Sequence, residues 1–154
     1  MKKRIPAYPP KDPSVRKTQK VRFKNLDELE AFLPDEELKL MNQMRNLVYD
    51  CLPGVREKLS FNVPFFFLSK SVCYIWPSSV WWGNRQTFKG VRFAFSQARN
   101  LSNEDGYLEI GDRKLFGQRD FITLKPEDQS RLKSLLFEAG FLDEQEKKNR
   151  GGLR

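Results

Sequence analysis

Between residues 61 and 124 the chain carries strand-like runs joined by short turns and no crossover helix, and this constrains the fold more than any other feature. Parallel strands need connections of a dozen or more residues, usually helical, whereas antiparallel strands need only tight turns. The runs are 61–68, 72–76, 80–82, 91–95, 107–110, 114–116 and 121–124, and they include alternating stretches such as Val91-Arg92-Phe93-Ala94-Phe95. Alternation with period two marks a half-buried strand. Turn residues separate the runs: Ser69-Lys70-Ser71, Pro77-Ser78-Ser79, Gly83-Asn84 and Gly111-Asp112-Arg113. An antiparallel sheet of about five or six strands is the expectation.

Helices bracket that sheet. Asn25 to Leu33 reads as a short capped helix ending before Pro34, since the residue ahead of a proline avoids helical backbone. Asp35, Glu36 and Glu37 then open a longer helix, where the positive end of the helix dipole favours acids. Leu38, Met41, Met44, Val48 and Cys51 recur at helical spacing, and Pro53-Gly54 stops the pattern. Pro126 sits where a first-turn proline belongs, followed by Leu132, Leu135, Leu136 and Ala139 on one face. Gly140 is a candidate stop, and 144–154 reads as a charged, fraying end. The economical packing is α+β: an N-terminal helix, the antiparallel sheet and a C-terminal helix, with both helices on one face. The expected organisation is a basic, largely disordered arm over 1–24, one domain over 25–147 and a frayed end over 148–154.

Charge then separates arm from domain. The chain has 28 Lys and Arg against 20 Asp and Glu, a net +8. Nine of the basic residues and one acid lie in 1–24, which leaves 19 of each sign in 25–154. The arm, with Pro6, Pro9, Pro10 and Pro13 among its lysines, has too few apolar groups to offset the entropy of ordering. Nucleic acid bound through residues 1–24 is accordingly one expectation about partners. No apolar run approaches the roughly 20 residues that span a bilayer, and no signal-peptide core follows the N-terminus, so a cytoplasmic protein without a membrane partner is expected. Reduced thiols at Cys51 and Cys73 fit that compartment.

The sequence contains no histidine. That removes Ser-His-Asp and Cys-His catalysis and His-containing zinc sites. Phosphate-binding glycine loops and the hydrolase elbow also lack their strings. The expectation is a binding module with no assigned catalytic group and no cofactor. Candidate binding residues lie in the aromatic centre. Trp76, Trp81 and Trp82 fall within seven positions, near Tyr74 and Phe65 to Phe67. Alternate strand residues face opposite sides, so both sheet faces should carry rings while the helices cover one. An exposed patch of that kind marks a ligand, a protein partner or a second copy of the chain. Arg85, Lys89, Arg92, Arg113, Lys114 and Arg119 share this region. Tyr74, Trp76, Trp82, Arg92 and Arg119 are the ligand-binding candidates, Arg92 leading through its planar fork.

The stretch Leu52-Pro53-Gly54-Val55-Arg56-Glu57-Lys58-Leu59-Ser60-Phe61-Asn62-Val63-Pro64-Phe65-Phe66 resembles the YdhG-like family of domains of unknown function. Val91 to Phe95 with Leu101, Gly111-Asp112-Arg113-Lys114 and Phe121-Ile122 resemble that family's closing pattern, so the likeness covers about residues 36–140. It implies a frataxin-like helix–sheet–helix sandwich. Some relatives are associated with iron handling, which makes an iron-binding or iron-delivery protein the alternative expectation. Asp27, Glu28, Glu30, Asp35, Glu36 and Glu37 are the acids near the helix start, and Asp35, Glu36 and Glu37 are the ligands named if iron binds.

Overall fold

A computed structural model describes residues 19–152. The first helix, α1 (Leu26–Phe32), is capped as the sequence expects: Asn25 accepts from the Glu28 N–H at 3.0 Å, and Glu28 reaches back to the Lys24 N–H. Pro34 holds Leu33 extended and ends it. The next helix, α2 (Asp35–Cys51), buries Leu40, Met41, Met44, Leu47, Val48 and Cys51 along one stripe.

Five strands follow: β1 (Arg56–Ser60), β2 (Val63–Phe67), β3 (Ser71–Pro77), β4 (Val91–Phe95) and β5 (Gly117–Phe121). They pair antiparallel in the order β1-β2-β3-β4-β5, a meander whose neighbours in sequence are neighbours in space. A 27-residue helix, α3 (Pro126–Gly152), closes the chain. Helices α2 and α3 pack on each other and over β3, with α2 also reaching β4. The fold is therefore α+β, with the helices on one face of an open antiparallel sheet. Phe66, Cys73, Ile75, Phe93 and Phe95 point into the helix side and are fully buried with Met41, Met44, Leu132 and Leu136. Each large side chain buried there contributes about 1.5–3 kcal/mol. Among the described residues no helix is long and apolar enough to cross a membrane.

Several expected elements differ. The run 61–68 is not one strand, because Phe61 and Asn62 both have positive φ, 54° and 69°, and form the two-residue turn of the β1–β2 hairpin. Positive φ at both central positions is the pattern of a type I′ turn, whose twist matches that of its strands. The polar strand Arg56–Ser60 exists because β2 pairs with it, not because it alternates. Residues 80–82 belong to the β3–β4 connection, not to a strand. Of the runs 107–110 and 114–116 only Glu109 forms a bridge, to Gln118, and of the run 121–124 only Phe121 is in a strand, because the strand beside β4 is Gly117–Phe121 instead. Gly90, at φ +79°, lets the β4 entrance lie against β5: a Cβ there would sit 2.0 Å from the Phe121 carbonyl oxygen. Helix α3 runs through Gly140 to Gly152, since the missing Cβ admits the Leu52 side chain without disturbing the helical backbone.

The domain also reaches back beyond Asn25. Asn62 donates to the Val21 carbonyl and accepts from the Phe23 N–H, both at 2.9 Å, while Gln19 and Val21 are buried. Gln19 donates its side-chain amide to the Phe61 carbonyl. The arm proper, residues 1–18, lies outside the described residues, as do 153 and 154.

Candidate functional site

The strand pattern that fills the core also builds the opposite face. Phe65, Tyr74, Ala94 and Gln118 stand opposite one another across β2, β3, β4 and β5, and Trp76, Arg92 and Asp120 form the next row. The helices lie on the other side, so only loops cover these rows. Five rings close a circuit on this face. Phe61 lies 6.0 Å from Phe65, Phe65 stacks on Tyr74 at 4.7 Å, and Tyr74 meets Trp76 at 6.1 Å. Trp76 then meets Trp82 at 6.0 Å, and Trp82 returns to Phe61 at 5.6 Å. Separations of 4.5–7 Å are the attractive range for ring pairs. Phe61 joins the circuit from a backbone conformation that a bulky residue rarely adopts, at a cost of about 1–2 kcal/mol.

The β3–β4 connection forms the wall. It is fixed by the Trp76 indole N–H donated to the Val80 carbonyl at 2.6 Å and the Ser78 N–H donated to the Gly90 carbonyl at 2.9 Å. Ser79 donates its N–H and hydroxyl to the Glu37 carboxylate, which ties this wall to the first turn of α2. The resulting cavity encloses about 630 Å³, with Thr87, Phe88, Arg113 and Phe116 completing its lining. This volume falls within the roughly 300–1,000 Å³ of small-ligand pockets, which are likewise lined by apolar and aromatic side chains with a few polar groups.

Two guanidinium groups line it, each lying over a ring. Arg92 sits 3.9 Å from the Phe88 centroid and makes a two-pronged pair with Asp120 at 2.7 and 3.1 Å. Arg113 sits 4.7 Å from the Phe116 centroid and donates one nitrogen, Nη1, to the Ile110 carbonyl at 3.1 Å. Among the described residues no Asp or Glu lines the cavity. Tyr74 and Gln118 also line it, and neither the Tyr74 hydroxyl nor the Gln118 side-chain amide has a hydrogen-bond partner among the described residues. Burial pushes the Tyr74 hydroxyl above its ordinary range, with Arg92 and Arg113 opposing, so it stays a donor at neutral pH.

Four of the five binding candidates, Tyr74, Trp76, Trp82 and Arg92, come together around this cavity. Arg119 does not. It follows Gln118 on β5, so alternation sends it to the other face, where it lies over Tyr107 at 4.2 Å and donates to the Tyr107 carbonyl. Phe61, Phe88, Phe116, Arg113 and Gln118 are lining residues that the candidate set lacks. For Arg113 the sequence signal was its place in the Gly111-Asp112-Arg113 turn, which reads first as a plain turn.

Asp35, Glu36 and Glu37 occupy the first turn of α2, with the Glu37 carboxylate engaged by Ser79. Burial raises Glu37 above the ordinary carboxyl range. Among the described residues no group of three or more His, Cys, Asp or Glu is placed to hold a metal ion. Cys51 and Cys73 are free and buried, and burial pushes both thiols upward, away from the thiolate a nucleophile needs. A second groove, of about 700 Å³, lies between the end of α2 and α3 under Phe137 and Phe141. Its buried acid, Asp143, already holds the Ser69 and Lys70 N–H groups and the Ser69 hydroxyl, which makes it a brace for the β2–β3 turn. In comparisons with known protein families, curated proteins and solved structures, nothing matched the chain.

Proposed function

We propose that the chain is a non-enzymatic binding module whose outer sheet face takes a small ligand, and that it is a divergent YdhG-like domain. The family part rests on the Leu52–Phe66 motif residues and on the helix–sheet–helix order. The binding part rests on one observation: five rings in mutual contact line, with Gln118, a cavity of about 630 Å³, and neither the Tyr74 hydroxyl nor the Gln118 amide has a hydrogen-bond partner among the described residues. No buried side-chain nitrogen or oxygen lacks a partner among the described residues, so these polar atoms face solvent and are open to a ligand. Concavity favours a small molecule over a flat protein interface. Titrating adenosine, adenosine 5′-monophosphate and benzoate at millimolar concentrations, with excitation at the red edge of the tryptophan band where none of them absorbs, should give a saturable change in tryptophan emission with at least one of them. Trp82→Ala, at a half-exposed position, should abolish that change while the melting temperature moves by only a few degrees. Unchanged emission with every compound would contradict the proposal.

A second reading, single-stranded nucleic acid, gains support from where the arm joins. Residues 1–18 carry Lys2, Lys3, Arg4, Lys11, Arg16 and Lys17 against Asp12, and they enter the domain at Gln19, which bonds Phe61 on the cavity rim. Cations beside stacking rings suit a polyanion with flat bases. Truncation after residue 18, which spares the docked 19–24 segment, should flatten the salt dependence of oligonucleotide binding. An unchanged slope would take the arm out of this reading.

A further inference from the structure

Which small ligand the cavity takes can be read from the groups left over once each side chain is given its protein partners. Arg92 is spent: Nε and Nη2 both face Asp120, so its charge is compensated and it serves as a wall over Phe88. Arg113 is not. Only Nη1 donates, to backbone carbonyls, and its acidic neighbour Glu109 stands 3.7 Å from that same nitrogen with a largely exposed side chain. The Nε and Nη2 donors of Arg113 have no hydrogen-bond partner among the described residues. Those two N–H groups form the fork that matches a carboxylate or phosphate. The Tyr74 hydroxyl supplies a further donor, and the Gln118 amide can donate or accept.

A ring-lined cage of this kind would hold a cation if carboxylates helped to line it. Here no Asp or Glu lines the cavity among the described residues, and with Arg92 compensated by Asp120 the Arg113 guanidinium is the charge a guest meets, which disfavours a cation. We propose that the cavity selects a flat aromatic ring bearing an anionic group, with the ring against Trp76 and Trp82 and the anion at the free fork of Arg113 beside the Tyr74 hydroxyl. This rests on the small-ligand reading above and adds its selectivity. Aromatic carboxylates and nucleoside monophosphates share that chemistry.

Calorimetry on the full chain separates the cases with five probes: indole-3-acetate and its neutral and cationic counterparts indole and tryptamine, and adenosine 5′-monophosphate with neutral adenosine. At least one anion should bind about 10-fold or more tighter than its neutral counterpart, with tryptamine weakest, as a charge-assisted bidentate contact requires. Whichever anion binds tighter identifies a carboxylate or a phosphate as the better fit. Arg113→Ala should bring the anion down to the level of its neutral counterpart and leave the neutral ring unchanged. Arg113→Lys, which keeps the charge and loses the fork, should fall between the two, with thermal melts confirming that both variants fold. Equal affinity for neutral and anionic rings, or tightest binding of tryptamine, overturns the anion selectivity while leaving a binding module in place. No saturable heat from any probe overturns both.

Discussion

The two faces of the central strands carry rings of similar size but different chemistry. On the helix side stand Phe66, Cys73, Ile75, Phe93 and Phe95, with no strong hydrogen-bonding atom among them, all closed off by α2 and α3. On the outer side the same strands present Phe65, Tyr74, Trp76, Arg92 and Gln118, and the cover is a loop wall around a cavity. Phenylalanine and aliphatic groups lose nothing by complete burial, whereas indole, phenol, amide and guanidinium groups each keep a polar handle that wants a partner. The amount of aromatic surface therefore does not distinguish a core from a site in this sheet. The polar atoms attached to it do.

Removing a ring from each face tests that contrast, and the largest effect is expected on the helix side. Phe93→Ala should cost about 3–5 kcal/mol in denaturant unfolding, the usual range for a large ring lost from a closed core. Trp82→Ala, at 49% exposure, should cost far less. Equal losses would mean that both faces are core and would break the comparison.

Phe61→Gly sharpens it. Glycine relieves the positive φ of the hairpin turn, worth about 1–2 kcal/mol, while the lost ring contacts withdraw a similar amount. The net change in stability should stay within about 1 kcal/mol of zero. Ligand-induced change in tryptophan emission should nevertheless weaken, since Phe61 bridges Phe65 and Trp82. A loss of stability approaching that of Phe93→Ala would show that Phe61 is there for packing.

The smallest effect concerns the tie between the two faces. Burial raises the folded-state pKa of Glu37 above the ordinary 4.5, so the folded protein holds this proton more tightly than the unfolded chain. Its contribution therefore improves as pH falls through the raised value towards 4.5 and worsens as pH rises. Asp105, held at about 2 by its hydrogen bonds from Arg131, has the opposite sign: its contribution is lost as pH falls. Glu37→Gln should remove only the first dependence, so the stability of the parent protein relative to this variant should decline as pH rises from about 4.5 through the raised value and level off above it. A difference that grows with pH would mean that the bonds from Ser79 outweigh the burial.

Much of this architecture was legible in the residues. Proline at 34 and 126, the apolar stripe of α2 and the short turns after Leu68 dictate two main helices around an antiparallel sheet. Tyr74, Trp76 and Arg92 could be placed together because period-two alternation holds on β3 and β4. The edges were not legible. Strand β1 is charged and β5 reads Gly-Gln-Arg-Asp-Phe, so neither shows the alternation of a half-buried strand, and pairing with a neighbour decides both. Without the β5 register, Arg119 could not be assigned to a face, and Gln118 gave no reason to be chosen. Phe61 escaped notice because a two-residue turn is ordinarily announced by Asn or Gly at that position, not by a bulky ring. Each of those omissions concerns long-range placement, which no local pattern encodes.

The most direct measurement follows the three indole N–H resonances and the Gln118 side-chain amide by nuclear magnetic resonance as indole-3-acetate is added. Saturable shifts at Trp76, Trp82 and Gln118, with the amides around Phe137 and Phe141 on α3 unmoved, are the result this account predicts. Silent indoles, or shifts confined to the α3 groove, would contradict it.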